Sequence, residues 1–394
     1  MNQRALFLQH VAQTSAAPLA LEICAAEGCY LYDTAGRRYL DLIGGISVCN
    51  MGHRHPDVVA AIRSQADQYL HVLVYGEFIQ SPQVNYACEL SKFLPASLNT
   101  VYFTNSGAEA TEGAMKLAKR LTNKTGMIAF NKAYHGSTQG ALSLMGDEYW
   151  RNAFRPLLPG ILHYDYNDQA VLEAIDDNIA CVVMETVQAE SGVVRPDADW
   201  IKAVADRCRE SNCLLVFDEI QAGFGRTGTR WAFEQYGVVP DILLLGKALG
   251  GGMPLGAFIA SHERMQAFTD QPVLGHITTF GGHPVSCAAG LAAFKALNNS
   301  NYIAAIARKE QRFLQQLQHP SIRAVRSAGL WMALAFDSFA TNKKVIDECL
   351  ANGLLTDWFL FAPECLRIAP PLTMTEEQID EACRIITAAC NRVA

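Results

Sequence analysis

Residues 199–218 read DWIKAVADRCRESNCLLVFD. Asp199 to Asn212 reads as a helix, and Leu214 to Asp218 as a continuous apolar strand closed by an acid. A strand with no alternating polar residues is expected where both faces of its sheet are covered. CVVME at 181–185 and DILLLG at 241–246 have the same character and stand on either side of it. Strands separated by helices in this way form a mostly parallel sheet. Further out, VYFT at 101–104 is a strand. Ser106 to Thr122 is a helix, with Ala114, Leu117, Ala118 and Leu121 at i, i+3, i+4 and i+7. Residues 21–42 (LEICAAEGCYLYDTAGRRYLDL) read as short strands with a turn at Asp33-Thr34-Ala35-Gly36. After about residue 285 come a helix, a mixed region and a C-terminal helix from Thr375 to Arg392.

Composition narrows the functional classes. The chain has 394 residues, half of them apolar, which allows a large buried core and excludes a disordered or fibrous protein. The net charge of −7, without a long basic run, gives a nucleic-acid partner no electrostatic support. Twelve cysteines are spread without a C-x-x-C spacing, so reduced thiols in a cytoplasmic protein are expected. The apolar stretch at the N-terminus is broken by Gln9, His10 and Gln13, which argues against a signal peptide. The longest uncharged run, Gln271 to Phe294, could span a bilayer by length. Its prolines, glycines and histidines fit a glycine-rich loop leading into a buried helix better, so no membrane association is expected.

Four segments carry candidate chemistry. Gly223-Phe224-Gly225-Arg226-Thr227-Gly228 matches the dinucleotide fingerprint, but Glu219 to Ala222 separate it from the strand ending at Asp218. It reads as an ordinary glycine-rich turn. Asn105 to Ala110 forms a small-residue turn at a helix N-terminus, suited either to a phosphate or to a plain Ser106 N-cap. Lys247 closes an apolar strand just before Gly250, Gly251 and Gly252. Such a lysine either snorkels to water or, if buried, becomes a nucleophile of lowered pKa. Asp218 lies at the carboxyl edge of its strand, where open α/β sheets bind ligands; its alternative role is an N-cap. A lysine, a phosphate cradle and a carboxylate together match the needs of one cofactor, pyridoxal 5'-phosphate, whose ring requires a protonated pyridine nitrogen. Tyr134 is available to stack on that ring. His53 and His55 form an H-x-H pair without a visible third ligand, so they read as loop-structuring residues and no metal site is expected.

The motifs resemble those of the class III pyridoxal-phosphate aminotransferases, in the group with acetylornithine, ornithine and 4-aminobutyrate aminotransferases. The resemblance runs from about residue 20 to the C-terminus. It is carried by YLYDTAGRRYLDL, GHRHP, FTNSGAEATEGAMKLAKR, YHGST, ETVQAESGV, FDEIQAGFGRTG, LLGKALGGGMPLGA, TTFGGHP and LRIAPPL. It implies a fold-type I α/β architecture: a large domain with a mainly parallel seven-stranded sheet, and a small α+β domain made from both chain ends. The expected bounds are 1–50 for the N-terminal part of the small domain, 51–284 for the large domain and 285–394 for the C-terminal part. By the same resemblance, Lys247 carries the cofactor and Asp218 partners its pyridine nitrogen. Gln221 lies near its phenolic oxygen. Ser106, Gly107 and Ala108 form the phosphate loop, and Tyr134 stacks on the ring. Thr279 reaches the phosphate of a neighbouring subunit, which implies a homodimer with a shared active site, and Thr278 contacts substrate. Arg367 grips an α-carboxylate, with Glu190 as its switchable partner. The implied reaction is ping-pong transfer of an amino group from an acylornithine-like or other ω-amine donor to a 2-oxo acid, 2-oxoglutarate above all. The alternative on the same fold is an aminomutase, racemase or decarboxylase.

The chain also departs from that pattern. Tyr134-His135-Gly136-Ser137-Thr138 stands where the group reads F-H-G-R-T, so Ser137 occupies the place of an arginine that binds a distal carboxylate. Ile46 stands near the position of an ornithine-type tyrosine. Ala189 and Ser191 replace glycines, and His283 replaces an asparagine. Arg151 and Arg155 are candidates for a substitute cation. Asp357 to Pro363 is unusually aromatic, either as core packing or as an apolar wall for the substrate.

Overall fold

The computed structural model describes residues 2–393. Seven strands form the large sheet: β1 (Thr100–Thr104), β2 (Gly126–Phe130), β3 (Ile161–Tyr164), β4 (Ile179–Glu185), β5 (Leu214–Asp218), β6 (Ile242–Leu245) and β7 (Gly256–Ala260). Their order across the sheet is β1-β7-β6-β5-β4-β2-β3. The pairs β6/β5, β5/β4, β4/β2 and β2/β3 are parallel, and β7 runs antiparallel to both β6 and β1. The mainly parallel seven-stranded sheet is therefore present, with one reversed strand.

The apolar runs explain why the sheet is central. Along β4, β5 and β6, Val182, Met184, Phe217, Leu243 and Leu245 point into one core. Cys181, Val183, Val216, Ile242 and Leu244 alternate with them and point into another. Both faces are covered. Helix α1 (Gly107–Thr122) puts Ala114, Leu117 and Ala118 into the second core, and helix α2 (Ala198–Glu210) puts Trp200, Ile201, Val204 and Cys208 into the first. Ser106 is the N-cap of α1, accepting from the Glu109 N–H at 3.2 Å, so the helix begins one residue later than its sequence pattern.

The chain ends meet beside this sheet. Strands at Ile23–Glu27, Tyr30–Asp33 and Arg38–Asp41 form an antiparallel set around the expected turn, where Asp33 accepts from the Ala35 and Arg37 N–H groups. Leu354–Leu355 joins it in parallel, pairing Leu354 with Leu40 and Leu355 with Asp41. A second sheet is made wholly from the C-terminal part: Ala324–Ser327, Met332–Ala335, Ala362–Ile368 and Trp358–Phe359.

Arg226 ties these parts together. The glycine-rich stretch 223–228 holds no nucleotide fingerprint geometry. Its arginine is fully buried and donates to the carbonyls of Leu330 and Pro370 and to Asn50 Oδ1, joining the large sheet to both chain ends. The segment Gln271 to Phe294 divides as expected into an irregular stretch and a buried helix, Pro284–Asn298. Among the described residues no helix is long and apolar enough to cross a membrane.

His53 bonds Asp41 at 2.8 Å, and the Asp41 carboxylate is buried. Burial works against charge on the imidazole, but the hydrogen bonds and charges of Asp41 and Cys49 together outweigh it and the pKa rises to about 10. A raised histidine pKa gives stability that is complete below the unfolded value of 6.5 and is lost as pH rises through about 10. His53→Ala should therefore cost about 1.5–3 kcal/mol below pH 6.5, the scale of a hydrogen bond to a charged group. That cost should shrink toward zero above pH 10, as measured by urea unfolding of both proteins across this range.

Candidate functional site

The parallel strands end level with one another, and the register pairs Glu185 of β4 directly with Asp218 of β5. Two carboxylates thus stand side by side at the carboxyl edge of the sheet. Both are buried, at 5% and 4% exposure. They line a cavity of about 240 Å³ together with Ser106, Gly107, Ala108, Tyr134, His135, Ser137, Gln221 and Lys247. Residues from five separate stretches of sequence converge there, because each ends a strand, follows its carboxyl end or opens the helix after one.

The two carboxylates are held differently. Asp218 Oδ2 lies 2.7 Å from His135 Nδ1, and its Oδ1 accepts from the Ile220 N–H at 2.9 Å. Burial opposes charge on His135, but the hydrogen bond and charge of Asp218, with Glu185 beyond, raise its pKa overall. Glu185 has no cationic side chain in hydrogen-bond contact. It accepts from the Tyr134 N–H (3.1 Å) and the Ala189 N–H (2.8 Å), and burial pushes its carboxyl up to about 7, against the pull of His135. Glu185 thereby fixes the backbone of Tyr134 and of the turn that bears Glu190.

Lys247 does not snorkel. It follows β6 in the left-handed region at φ 48°, a sparsely populated conformation for a residue with a side chain, and turns into Gly251 at φ 60°. A Cβ on Gly251 would lie 2.8 Å from the Ala289 carbonyl, so the turn after the lysine requires glycine. Lys247 Nζ donates to Gln221 Oε1 at 2.7 Å. Burial lowers its pKa, and Glu190 and Asp218 act in the opposite direction.

The opening of α1 completes the cavity. Gly107 packs on Ile220, where an added Cβ would come within 2.7 Å of Cδ1. The first N–H groups of the helix have no intrahelical acceptor and carry the positive end of its dipole. Tyr134 bonds Ser137 through the two hydroxyls at 3.0 Å.

Behind Lys247 lies a second charged group. Arg367, on the strand Ala362–Ile368, is 2% exposed and meets Glu190 through both Nη atoms, each at 2.9 Å. Its Nε donates to Asp357 at 2.8 Å, its Nη2 also to the Trp358 carbonyl, and its guanidinium lies over the Phe359 ring at 4.4 Å. Glu190 accepts in addition from the Leu360 N–H. Burial works against charge on Glu190, yet Arg367 holds its carboxyl below the usual range. Asp357, more dominated by burial, is pushed up to about 6. The aromatic segment 357–363 is thus neither plain core nor plain wall: it is the housing of the Arg367–Glu190 pair.

The structure brings together Ser106, Gly107, Ala108, Tyr134, Ser137, Asp218, Gln221 and Lys247 around one cavity, with Glu190 and Arg367 adjoining Lys247. Thr278 and Thr279 do not line it: Thr279 is exposed, and Thr278 accepts from the Gly281 N–H. Arg151 and Arg155 are not free cations, since both are paired with Glu148. Sequence reasoning assigned no role to His135, Glu185 or Asp357. The acid closing CVVME was a usable signal for Glu185, because it stands at the strand end just as Asp218 does. The partner of His135 is 83 positions away, and Asp357 meets Arg367 only because a short strand folds back beside Ala362–Ile368, so no spacing signals either contact.

These residues fit pyridoxal phosphate. The Gln221 Nε2 atom is buried without a protein partner. The lysine is half-buried and its pKa is lowered, a carboxylate lies at the sheet edge, and an open helix N-terminus suits a phosphate.

The family model for class-III aminotransferases matches residues 11–390. The acetylornithine aminotransferase of Bacillus subtilis is 37% identical over 368 residues, covering 92% of this chain and 93% of that protein. That of Caldanaerobacter subterraneus is 36% identical over 374 residues, covering 91% and 92%. The ornithine aminotransferase from Toxoplasma gondii superposes with a TM-score of 0.92 at 31% identity, covering 99% of this chain and 93% of that one. An (S)-enantioselective omega-transaminase from Thermomicrobium roseum superposes at 0.91 with 27% identity, covering 100% and 99%. Over nearly its whole length the chain belongs to the class-III aminotransferases, and it is a pyridoxal-phosphate-dependent transaminase.

Proposed function

We propose that this transaminase moves an amino group from an ω-amine donor to 2-oxoglutarate by a ping-pong route, with Lys247 as the cofactor-bearing and proton-moving residue. The buried Arg367–Glu190 pair, whose charges reach the half-buried Lys247, carries this reading. The cofactor supplies a sink for the electron pair left when the amine carbon loses its proton. Lys247, biased toward its neutral amine by burial, would take that proton from the amine carbon and return it to the carbon on the far side of the amine nitrogen. Asp218, with His135 behind it, would hold the proton on the pyridine nitrogen. The N–H groups of Gly107 and Ala108, with Ser106, would take the phosphate. Tyr134 would lie against the ring, and Gln221 would offer its buried amide to the phenolic oxygen.

Arg367 then serves two substrates. For glutamate or 2-oxoglutarate, Glu190 rotates away and the α-carboxylate takes its place on the guanidinium fork. For the donor, Glu190 stays, because a buried guanidinium stripped of its partner is costly. Asp357 and the Trp358 carbonyl hold the fork in orientation in both cases.

We also place the working enzyme as a cytoplasmic homodimer. Leu70, Leu73, Phe78 and Ile79 (96% exposed), with Val273, Leu274, Ile277 and Phe280, leave apolar side chains bare in the two segments flanking Thr279 and the residues before Ser81. Surfaces of this kind mark association sites. Thr279, outside this chain's own cavity, then serves a neighbouring one. Twelve unpaired cysteines support a reducing compartment.

Glutamate added to the cofactor-loaded enzyme should convert the cofactor stoichiometrically to its aminated form, seen as a shift of the visible absorption band. Retention of the original band, as a racemase or decarboxylase would show, would defeat the reading. Lys247→Ala should keep the cofactor noncovalently and lose at least ~100-fold in turnover, the lower end of what a positioned acid/base contributes.

Glu190→Gln should leave Arg367 uncovered and shift selectivity toward glutamate, relative to a donor without an α-carboxylate, by about ten- to hundredfold. The kcat/KM ratio of the two half-reactions measures it. Mixing inactive Lys247→Ala with a weakened Thr279→Ala enzyme should restore activity, because hybrid dimers carry one intact site; no recovery on mixing would rule out the shared site.

A further inference from the structure

We propose that the amino donor carries no carboxylate and ends in an apolar or aromatic group: an alkyl or arylalkyl monoamine. The proposal deepens the site assignment above and rests on it.

The guanidinium whose charge reaches Lys247 offers an amine donor no anion site. The fork of Arg367 is filled by Glu190, its Nε edge by Asp357, and Glu190 is further tied to the Leu360 N–H. The outer end offers none either. Among the described residues that line the cavity, Lys247 is the sole lysine or arginine. At the mouth stands exposed Ser137, its hydroxyl bonded to Tyr134. The loop bearing it is moored on a carboxylate: Glu112 accepts from Thr138 Oγ1 at 2.6 Å and from the Gly140 N–H at 2.8 Å. That fixed negative charge repels a second carboxylate arriving at the mouth.

The neighbouring cations are committed elsewhere. Arg151 pairs with Glu148 and donates to the Met145 carbonyl, and Arg155 meets both oxygens of Glu148. What their loop presents instead is aromatic. Gln139, two residues past Ser137, anchors the loop through the Phe154 and Pro156 carbonyls. The Trp150 ring meets Phe361 edge-on at 6.1 Å, and Phe361 donates its N–H to the Glu190 carbonyl. The two rings thereby link the loop after Ser137 to the segment that holds Glu190. A second copy docking through the exposed apolar segments would add no cation, since residues 70–84 and 271–283 contain neither lysine nor arginine.

The test is a donor panel on the cofactor-loaded enzyme: 2-phenylethylamine and hexylamine against 4-aminobutyrate, N-acetylornithine and 1,4-diaminobutane, each read as a single half-reaction. Calorimetric Kd values on cofactor-loaded Lys247→Ala give a second readout without turnover. The monoamines should exceed both carboxylate donors by at least ~10-fold in kcat/KM and bind in the same order, on the scale of one missing charge-assisted contact. Ser137→Arg should narrow or reverse that gap. Carboxylate donors used as well as monoamines by the wild type, with no gain in Ser137→Arg, would overturn the proposal. So would 1,4-diaminobutane as the best donor, which would make the far end of the site polar. Glutamate serves as the internal control. If it reacts while the donor order is wrong, only the donor proposal fails; if it does not react, the site assignment fails and the proposal with it.

Discussion

Two buried parallel strands that end level with one another set the geometry on which the site depends. The register that pairs Glu185 with Asp218 places two carboxylates at one sheet edge, where water is excluded and charge is expensive. The structure settles that expense in two ways. Asp218 is paired with an imidazole whose charge it stabilises, and Glu185 is spent on backbone N–H groups. A one-residue slip between these strands would turn the acids to opposite faces of the sheet, and the cavity would lose its floor.

Arg226 performs a comparable service at the join between the chain ends and the large sheet. It is fully buried and meets only neutral acceptors. One planar fork can satisfy carbonyls from two distant segments together with an amide, a task for which the point charge of a lysine is unsuited. By fixing Pro370 and Asn50, it sets the position of the strand that carries Arg367, and so of the cation that faces Lys247.

The electrostatics of the site form one coupled balance. Glu190, Asp357, Asp218 and Glu185 are set among one arginine, one lysine of lowered pKa and one histidine, and each carboxylate has a distinct anchor. Glu190 is the carboxylate suited to exchange, because its side chain occupies the fork itself. Asp357 holds the opposite edge, so departure of Glu190 leaves Arg367 oriented and half-neutralised. The turn bearing Glu190 is pinned on both sides, by Glu185 at the Ala189 N–H and by Arg326 at the Gly192 carbonyl. The exchange proposed for Glu190 would thus need only a side-chain rotation, with the loop held in place.

The sequence by itself determined the parts that depend on local pattern. Apolar runs at 181–185, 214–218 and 241–246 specify strands covered on both faces, since no soluble alternative hides them. The spacing in Ser106–Thr122 specifies a helix with one buried face, and the family motifs point to Lys247, Asp218, Gln221 and Tyr134. Contacts between residues far apart in the chain were decided by tertiary structure alone. His135 meets Asp218 across 83 positions, Glu190 meets Arg367 across 177, and Arg226 meets Pro370 across 144. Asp357 is near Arg367 in sequence, yet its role is also tertiary: it depends on a short strand folding back beside Ala362–Ile368. The mouth shows the same division. The serine at 137 was visible in the sequence, but that Arg151 and Arg155 both pair with Glu148 follows only from the fold. A hydrogen bond or ion pair is set by distances of a few ångströms, and composition and spacing do not encode those distances between segments that meet only after folding.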